Sequence, residues 1–248
     1  MKIRRPCLLG FLFAVCATPG AAQVKVPEGF VPIFDGKTTR GWHWSKTNHH
    51  GSTGMAKVAD GALVLEQHPY GQGGLFVTDK KYRNYELYLE VKAPFGCNSG
   101  IFFRSSESGS AYQIELLPGS GTTGNLIGEL MRVSVPAEAA DLPKVWKDDD
   151  FNSFRLRVEG DAPHLTLWVN DMKMWDVQEP VNDKIAGEVS GVIGLQLHWS
   201  VVYEPLAGAA STVFSRSLSE IDRHRRSKIA IWRPGWIDNS SRFVLAES

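Results

Sequence analysis

Cysteine is scarce in this chain, with Cys7, Cys16 and Cys97 the only three in 248 residues. Long apolar runs are missing too, because residues 7–17 fall well short of the roughly 20 residues that a membrane-spanning helix needs. An excess of charge of either sign is also absent: 27 basic side chains meet 27 acidic ones. That balance gives no field to gather nucleic acid or an anionic membrane, so the expected partner is neutral. No Gly-x-Ser-x-Gly elbow occurs, and Gly71-Gln-Gly-Gly74 lacks the Lys-Ser/Thr sequel of a phosphate loop. Serine-triad and nucleotide chemistry are therefore set aside.

The chain opens on Met1-Lys-Ile-Arg-Arg-Pro, continues through the apolar residues 7–17, and reaches Pro19-Gly-Ala-Ala-Gln23. A basic start, a short apolar stretch and small residues read as a secretory signal peptide over residues 1–22, cut after Ala22. Export to the periplasm or beyond is the expectation. Cleavage would remove Lys2, Arg4 and Arg5, leaving 24 basic residues against 27 acidic, and would leave Cys97 with no disulfide partner.

From Phe30 to Trp199 short alternating segments separated by Gly, Pro, Asn and Asp replace any helical periodicity. Strands are predicted at 62–66, 74–77, 85–92, 100–104, 112–117, 153–159, 165–170, 173–177 and 192–199. Asp60-Gly61 and Asn170-Asp171 are the expected reversals. Half-buried strands at this spacing imply an all-β fold, an antiparallel two-sheet jelly-roll sandwich over residues 23–211. Helix is confined to short pieces at 137–141 and 217–226. Residues 212–248 form an atypical C-terminal segment, in which 241–246 is a candidate closing strand.

Three distant stretches, 100–105, 112–116 and 194–199, put Arg104, Gln113, Glu115, Gln196 and His198 on one parity, opposite Ile101, Phe103, Ile114, Leu195 and Leu197. Successive strand residues point to opposite faces, so neighbouring strands would gather a base, an acid and a cation on one face. Trp146, Trp168 and Trp199 could stack on a sugar ring from that side. His43, His49 and His50 cluster in one loop, but their spacing fits no metal template, so no metal and no cofactor are expected. Asp148-Asp-Asp150 reads as a solvated loop.

Several segments together resemble the 3-keto-disaccharide hydrolase domain family, whose fold is that of concanavalin A-like lectins and glucanases. They are Gly29-Phe-Val-Pro-Ile-Phe-Asp-Gly-Lys-Thr38 with Gly41-Trp42, Val58-Ala-Asp-Gly61, Gly74-Leu-Phe-Val-Thr78 and Tyr82-Arg-Asn-Tyr-Glu-Leu87. The series continues through Asn98-Ser-Gly-Ile-Phe-Phe-Arg104, Tyr112-Gln-Ile-Glu115, Thr123-Gly124, Phe151-Asn152, Leu167-Trp-Val-Asn170 and Gly191-Val-Ile-Gly-Leu-Gln-Leu-His198. The resemblance implies a sugar held on one sheet and cleavage of glycosides already oxidised at C3. The C-terminal segment departs from the family's usual closing strand.

A ketone at C3 acidifies the C2 hydrogen, and the enolate left by its removal can expel the aglycone from C1. Such a route needs a base near C2, a positive or hydrogen-bonding group at the C3 oxygen, and a proton for the leaving group. Glu115 as base, Arg104 as enolate stabiliser and His198 as proton donor would meet it, with Glu115 and His198 interchangeable. Gln113, Gln196, Trp146, Trp168 and Trp199 would bind the sugar. Two other classes stay open: a lectin-like binding module, and a laminarinase-type glycosidase needing paired carboxylates about 5–5.5 Å apart, of which only Glu115 is evident.

Overall fold

The computed structural model describes residues 30–67, 73–180 and 188–198, together with the backbone of 228–231 and 244–247. Two antiparallel sheets enclose one core. The strands, in chain order, are β1 (Val31–Pro32), β2 (Trp42–Trp44), β3 (Gly54–Ala59), β4 (Ala62–Gln67), β5 (Gly74–Thr78), β6 (Tyr85–Lys92), β7 (Ser99–Ser105) and β8 (Ala111–Leu116). They continue as β9 (Leu126–Glu129), β10 (Asn152–Glu159), β11 (His164–Val169), β12 (Met172–Gln178), β13 (Val192–Leu197), β14 (Lys228–Ile231) and β15 (Val244–Glu247). The six-stranded sheet runs β2-β5-β13-β7-β8-β9, and the nine-stranded one runs β12-β11-β10-β6-β14-β4-β3 with β15 joining β1 to β6. This is the jelly-roll sandwich that the alternation implies.

Alternation and burial agree most closely in β6 and β10, where Tyr85, Leu87, Leu89 and Val91 pair in register with Val158, Leu156, Phe154 and Asn152. Their inward side chains meet Ile101, Phe103, Ile114, Ile193 and Leu195 of the other sheet. Two tight reversals hold the hairpins: Asp60-Gly61 and Asn170-Asp171 carry positive φ at both positions, the backbone a two-residue turn needs. Cys97 is packed in the core, where burial pushes its thiol up to about 12.

Helix is nearly absent among the described residues; one 3-10 turn lies at Leu142–Lys144, just beyond the predicted 137–141, and 217–226 falls outside them. The C-terminal segment contributes β14, which pairs with β4 and β6, and β15, which pairs with β1 and β6.

One irregularity in the six-stranded sheet decides where a cation goes. Val192 pairs with Ser105 but Gly194 with Phe102, so β7 has one residue more than β13 between these points, and Arg104 takes φ 49°. This is a β-bulge, and it breaks the alternation. Gly191 lies against it so closely that a Cβ would overlap the backbone of Arg104 and Ser105. Gly191→Ala should therefore cost about 1–3 kcal/mol of stability. An unchanged urea midpoint would show that the strands separate there freely.

Candidate functional site

The outer face of the six-stranded sheet carries a small buried apolar patch, Leu75, Val77, Phe102, Ala111 and Val192, at one end. Two loops are tied together there. The Ser45 hydroxyl donates to the Glu107 carbonyl at 2.6 Å, accepts from the amides of Thr47 and Asn48, and so anchors the turn that brings His50 onto Phe102. The His50 amide donates to Asn48 Oδ1 at 2.8 Å, which orients the turn further.

Toward the other end the face becomes polar. Glu115, Gly100 and Gln196 are paired across β8, β7 and β13 in one row, which puts Glu115 and Gln196 about 10 Å apart at Cα with no side chain between them. The gap left by Gly100 is crossed by Gln113, since a Cβ on Gly100 would collide with the Gln113 amide. Gln113 Nε2 donates to Gln196 Oε1 at 3.1 Å, and both side chains are buried, at 3% and 2% exposed. Gln113 Oε1 has no hydrogen-bond partner. A buried amide oxygen left in this state costs free energy.

Glu115 and His198 are partly exposed. The Glu115 carboxylate forms no hydrogen bond or ion pair with another described residue, whereas its backbone is fixed by Gly124 and Asn125. His198 follows β13, its carbonyl accepting from Gln67 at 2.7 Å and its ring 5.8 Å from that of His50. Burial first, then the neighbouring His49 and His198, hold the His50 imidazole down at about 3, so it is neutral near pH 7.

Gln113, Glu115, Gln196 and His198 thus share a face, as their parity predicts. Arg104 does not. In the bulge its guanidinium turns away from that face, is 1% exposed, and donates to Gly160 O at 2.7 Å and to Asn84 Oδ1 at 3.4 Å. Burial lowers its affinity for a proton, opposed by Tyr85, Asp161 and Tyr112. The parity argument failed because the extra residue breaks the alternation at Arg104, while Ile101 and Phe103 keep the inward facing that parity gives them.

Trp168 also lies elsewhere. It sits on the solvent side of the nine-stranded sheet, with Arg155 4.2 Å and Arg157 5.4 Å from its ring centroid, on the far side of the sandwich from Glu115. Its parity opposite Leu167 was read correctly, but that face belongs to the other sheet. Trp146 packs edge-on against Phe154 and lines a cavity of about 220 Å³ with Pro118, Thr123, Ala139 and Leu142. The loop that supplies Pro118 and Thr123 follows β8, so this cavity adjoins the Glu115 end of the sheet. Trp199 lies outside the described residues.

By spacing alone the loop histidines fit no metal template. In the fold His49 Nε2 stands 3.0 Å from Glu129 Oε1, with the His49 and His50 ring centroids 3.9 Å apart. Glu129 comes from β9, far along the chain, and no spacing rule within the loop would find it.

Residues 29–204 match the domain described as 3-keto-alpha-glucoside-1,2-lyase-like. The chain belongs to this family. A 3-keto-disaccharide hydrolase of Bacteroides thetaiotaomicron is 33% identical over 85 residues, 32% of this chain and 29% of that protein, so the match spans under a third of the relative's length. Among solved structures, a candidate glycosyl hydrolase of Parabacteroides distasonis has a TM-score of 0.54 at 17% identity, covering 89% of this chain and 94% of that one. The β-glucanase of Bacillus licheniformis gives 0.52 at 12% identity, covering 90% and 100%. Likeness at these identities establishes the shared jelly-roll fold.

Proposed function

We propose that this chain is an exported enzyme that cleaves glycosides already oxidised at C3, by elimination across C1–C2 followed by addition of water. The observation that carries the reading is Glu115: a partly exposed carboxylate with no partner among the described residues, facing a glycine gap and two buried amides. The relative's description as a hydrolase and the family's as a 1,2-lyase fit one sequence of steps. Elimination alone is a lyase reaction, and elimination followed by hydration is net hydrolysis.

In the first step the C2 hydrogen passes as a proton to Glu115, and its bonding pair forms the enolate with charge on the C3 oxygen. The pair then returns to form the C1–C2 double bond as the C1–O bond breaks, and His198 protonates the departing oxygen. Water adds to the unsaturated ketone, restoring a 3-keto sugar. Gln113 and Gln196, joined by their hydrogen bond, form the floor of the gap over Gly100 beneath the ring. A lone carboxylate suffices for this chemistry, unlike a retaining glycosidase. The apolar cavity at Trp146 lies where an aglycone would extend beyond Glu115.

The test is incubation with a 3-keto-disaccharide and, separately, with its unoxidised parent. Release from the keto sugar alone, slowed by deuterium at C2, is the expected result. Release from the parent would make the chain a conventional glycosidase, and binding without release would make it a lectin-like module.

A further inference from the structure

We propose that His49, His50 and Glu129 form a binding site for a divalent first-row transition ion, with Zn²⁺ the best fit. One ligand atom from each of the three lies within 4.8 Å of the others. Ligands of a tetrahedral zinc ion at about 2.0–2.2 Å from the metal stand roughly 3.4 Å from one another, so small side-chain rotations close the site. Two imidazoles and a carboxylate are a donor set for zinc or its neighbours rather than for calcium or magnesium, which take oxygen. Three protein ligands leave a fourth tetrahedral position for water or substrate.

His50 is enclosed and loosely held. Its ring is 1% exposed, and its hydrogen-bonding neighbour among the described residues is the Gln196 amide nitrogen, 3.3 Å from both Nδ1 and Nε2. An amide nitrogen placed astride that edge can donate only to the ring's one lone pair, and at 3.3 Å it holds that lone pair weakly. A metal ion would take that lone pair in place of the amide contact. The backbone that presents both histidines is already fixed, by Asn48 and Ser45 on one side and by Gly51 on the other, where a Cβ would come within 2.8 Å of the Gly73 carbonyl. Preorganisation of this kind is what a ligand pair adjacent in sequence requires.

The site also answers a need created by the placement of Arg104. The outward positions of β5, β7, β8, β9 and β13 hold no lysine or arginine once Arg104 has turned away, so no side-chain cation on these strands faces a developing enolate. An ion at its open position would polarise the C3 oxygen as a Lewis acid. That role rests on the proposed elimination; the binding itself does not.

The experiment is calorimetric titration of the metal-stripped protein with Zn²⁺, repeated with Co²⁺ followed by visible absorption. One ion per chain, a raised thermal midpoint and cobalt bands typical of tetrahedral coordination are expected. His49→Ala and Glu129→Gln, at partly exposed positions and so expected to fold, should each weaken binding at least tenfold. His43→Ala is the control, because that imidazole is engaged by Asp79 at 2.6 Å and Glu107 at 3.4 Å and should leave the titration unchanged. Absence of saturable binding, or affinity that survives His49→Ala and Glu129→Gln, would overturn the site. Zinc bound as expected with the keto sugar left intact would remove the elimination reading and leave the ion site standing.

Discussion

Glu115→Gln should lower turnover of a 3-keto-disaccharide by about 10²–10⁴-fold, the range typical of losing a general base, while the thermal midpoint stays within about 2 °C of the parent protein. The pairing of a large kinetic effect with a negligible stability effect follows from the same fact. The carboxylate makes no hydrogen bond or ion pair with another described residue, so the fold loses nothing when its charge is removed, and glutamine fills the same space. Steady-state kinetics and a thermal melt on one preparation check both halves. A folded variant with full turnover would take Glu115 out of the chemistry and move the base to His198.

Arg104→Ala should show the opposite pattern. Its guanidinium donates to Gly160 O and Asn84 Oδ1 from a fully enclosed position, and truncation would remove both bonds and open a cavity bounded by Tyr85 and Tyr112. Emptying a site that a large, fully buried side chain fills costs about 2–5 kcal/mol, and the two lost hydrogen bonds add to that, so a total near 3 kcal/mol or more is expected. For a domain of this size that lowers the melting midpoint by roughly 6–12 °C. Turnover per folded molecule should stay within a few-fold. If Arg104→Ala instead abolished turnover with an unchanged midpoint, the arginine would have to reach the sugar in solution. The contrast between Glu115 and Arg104 separates a reacting group from a strut, although both occupy one alternating pattern in the sequence.

Strict alternation made β6 and β10 legible, because burial there depends on period alone, and the paired turn residues at 60–61 and 170–171 marked the β3–β4 and β11–β12 hairpins. Short strands such as Val31–Pro32, Trp42–Trp44 and Leu126–Glu129 have too few residues to show a period; they exist because a neighbouring strand offers hydrogen bonds. Four of the five polar residues of the candidate face were found by parity. The fifth, Arg104, was misplaced because a bulge depends on the relative length of two strands, which neither strand shows by itself. Trp168 failed for a different reason: parity gives a face, not the sheet to which it belongs. The grouping of His49 and His50 with Glu129 was invisible because it joins a loop to an edge strand across the sheet.

The bulge at Arg104 also determines which changes in length the chain can bear. Deleting Arg104, the one residue between Phe103 and Ser105, would bring β7 and β13 back into even step, straightening the strand and removing the guanidinium that Gly160 and Asn84 bind. Adding a residue upstream, between Gly100 and Phe102, would turn Gly100 toward the core and set a bulky side chain in the middle of the cleft floor. Residue count in this one strand, more than the chemistry of any single position, keeps the pocket open on one side and the two sheets locked on the other.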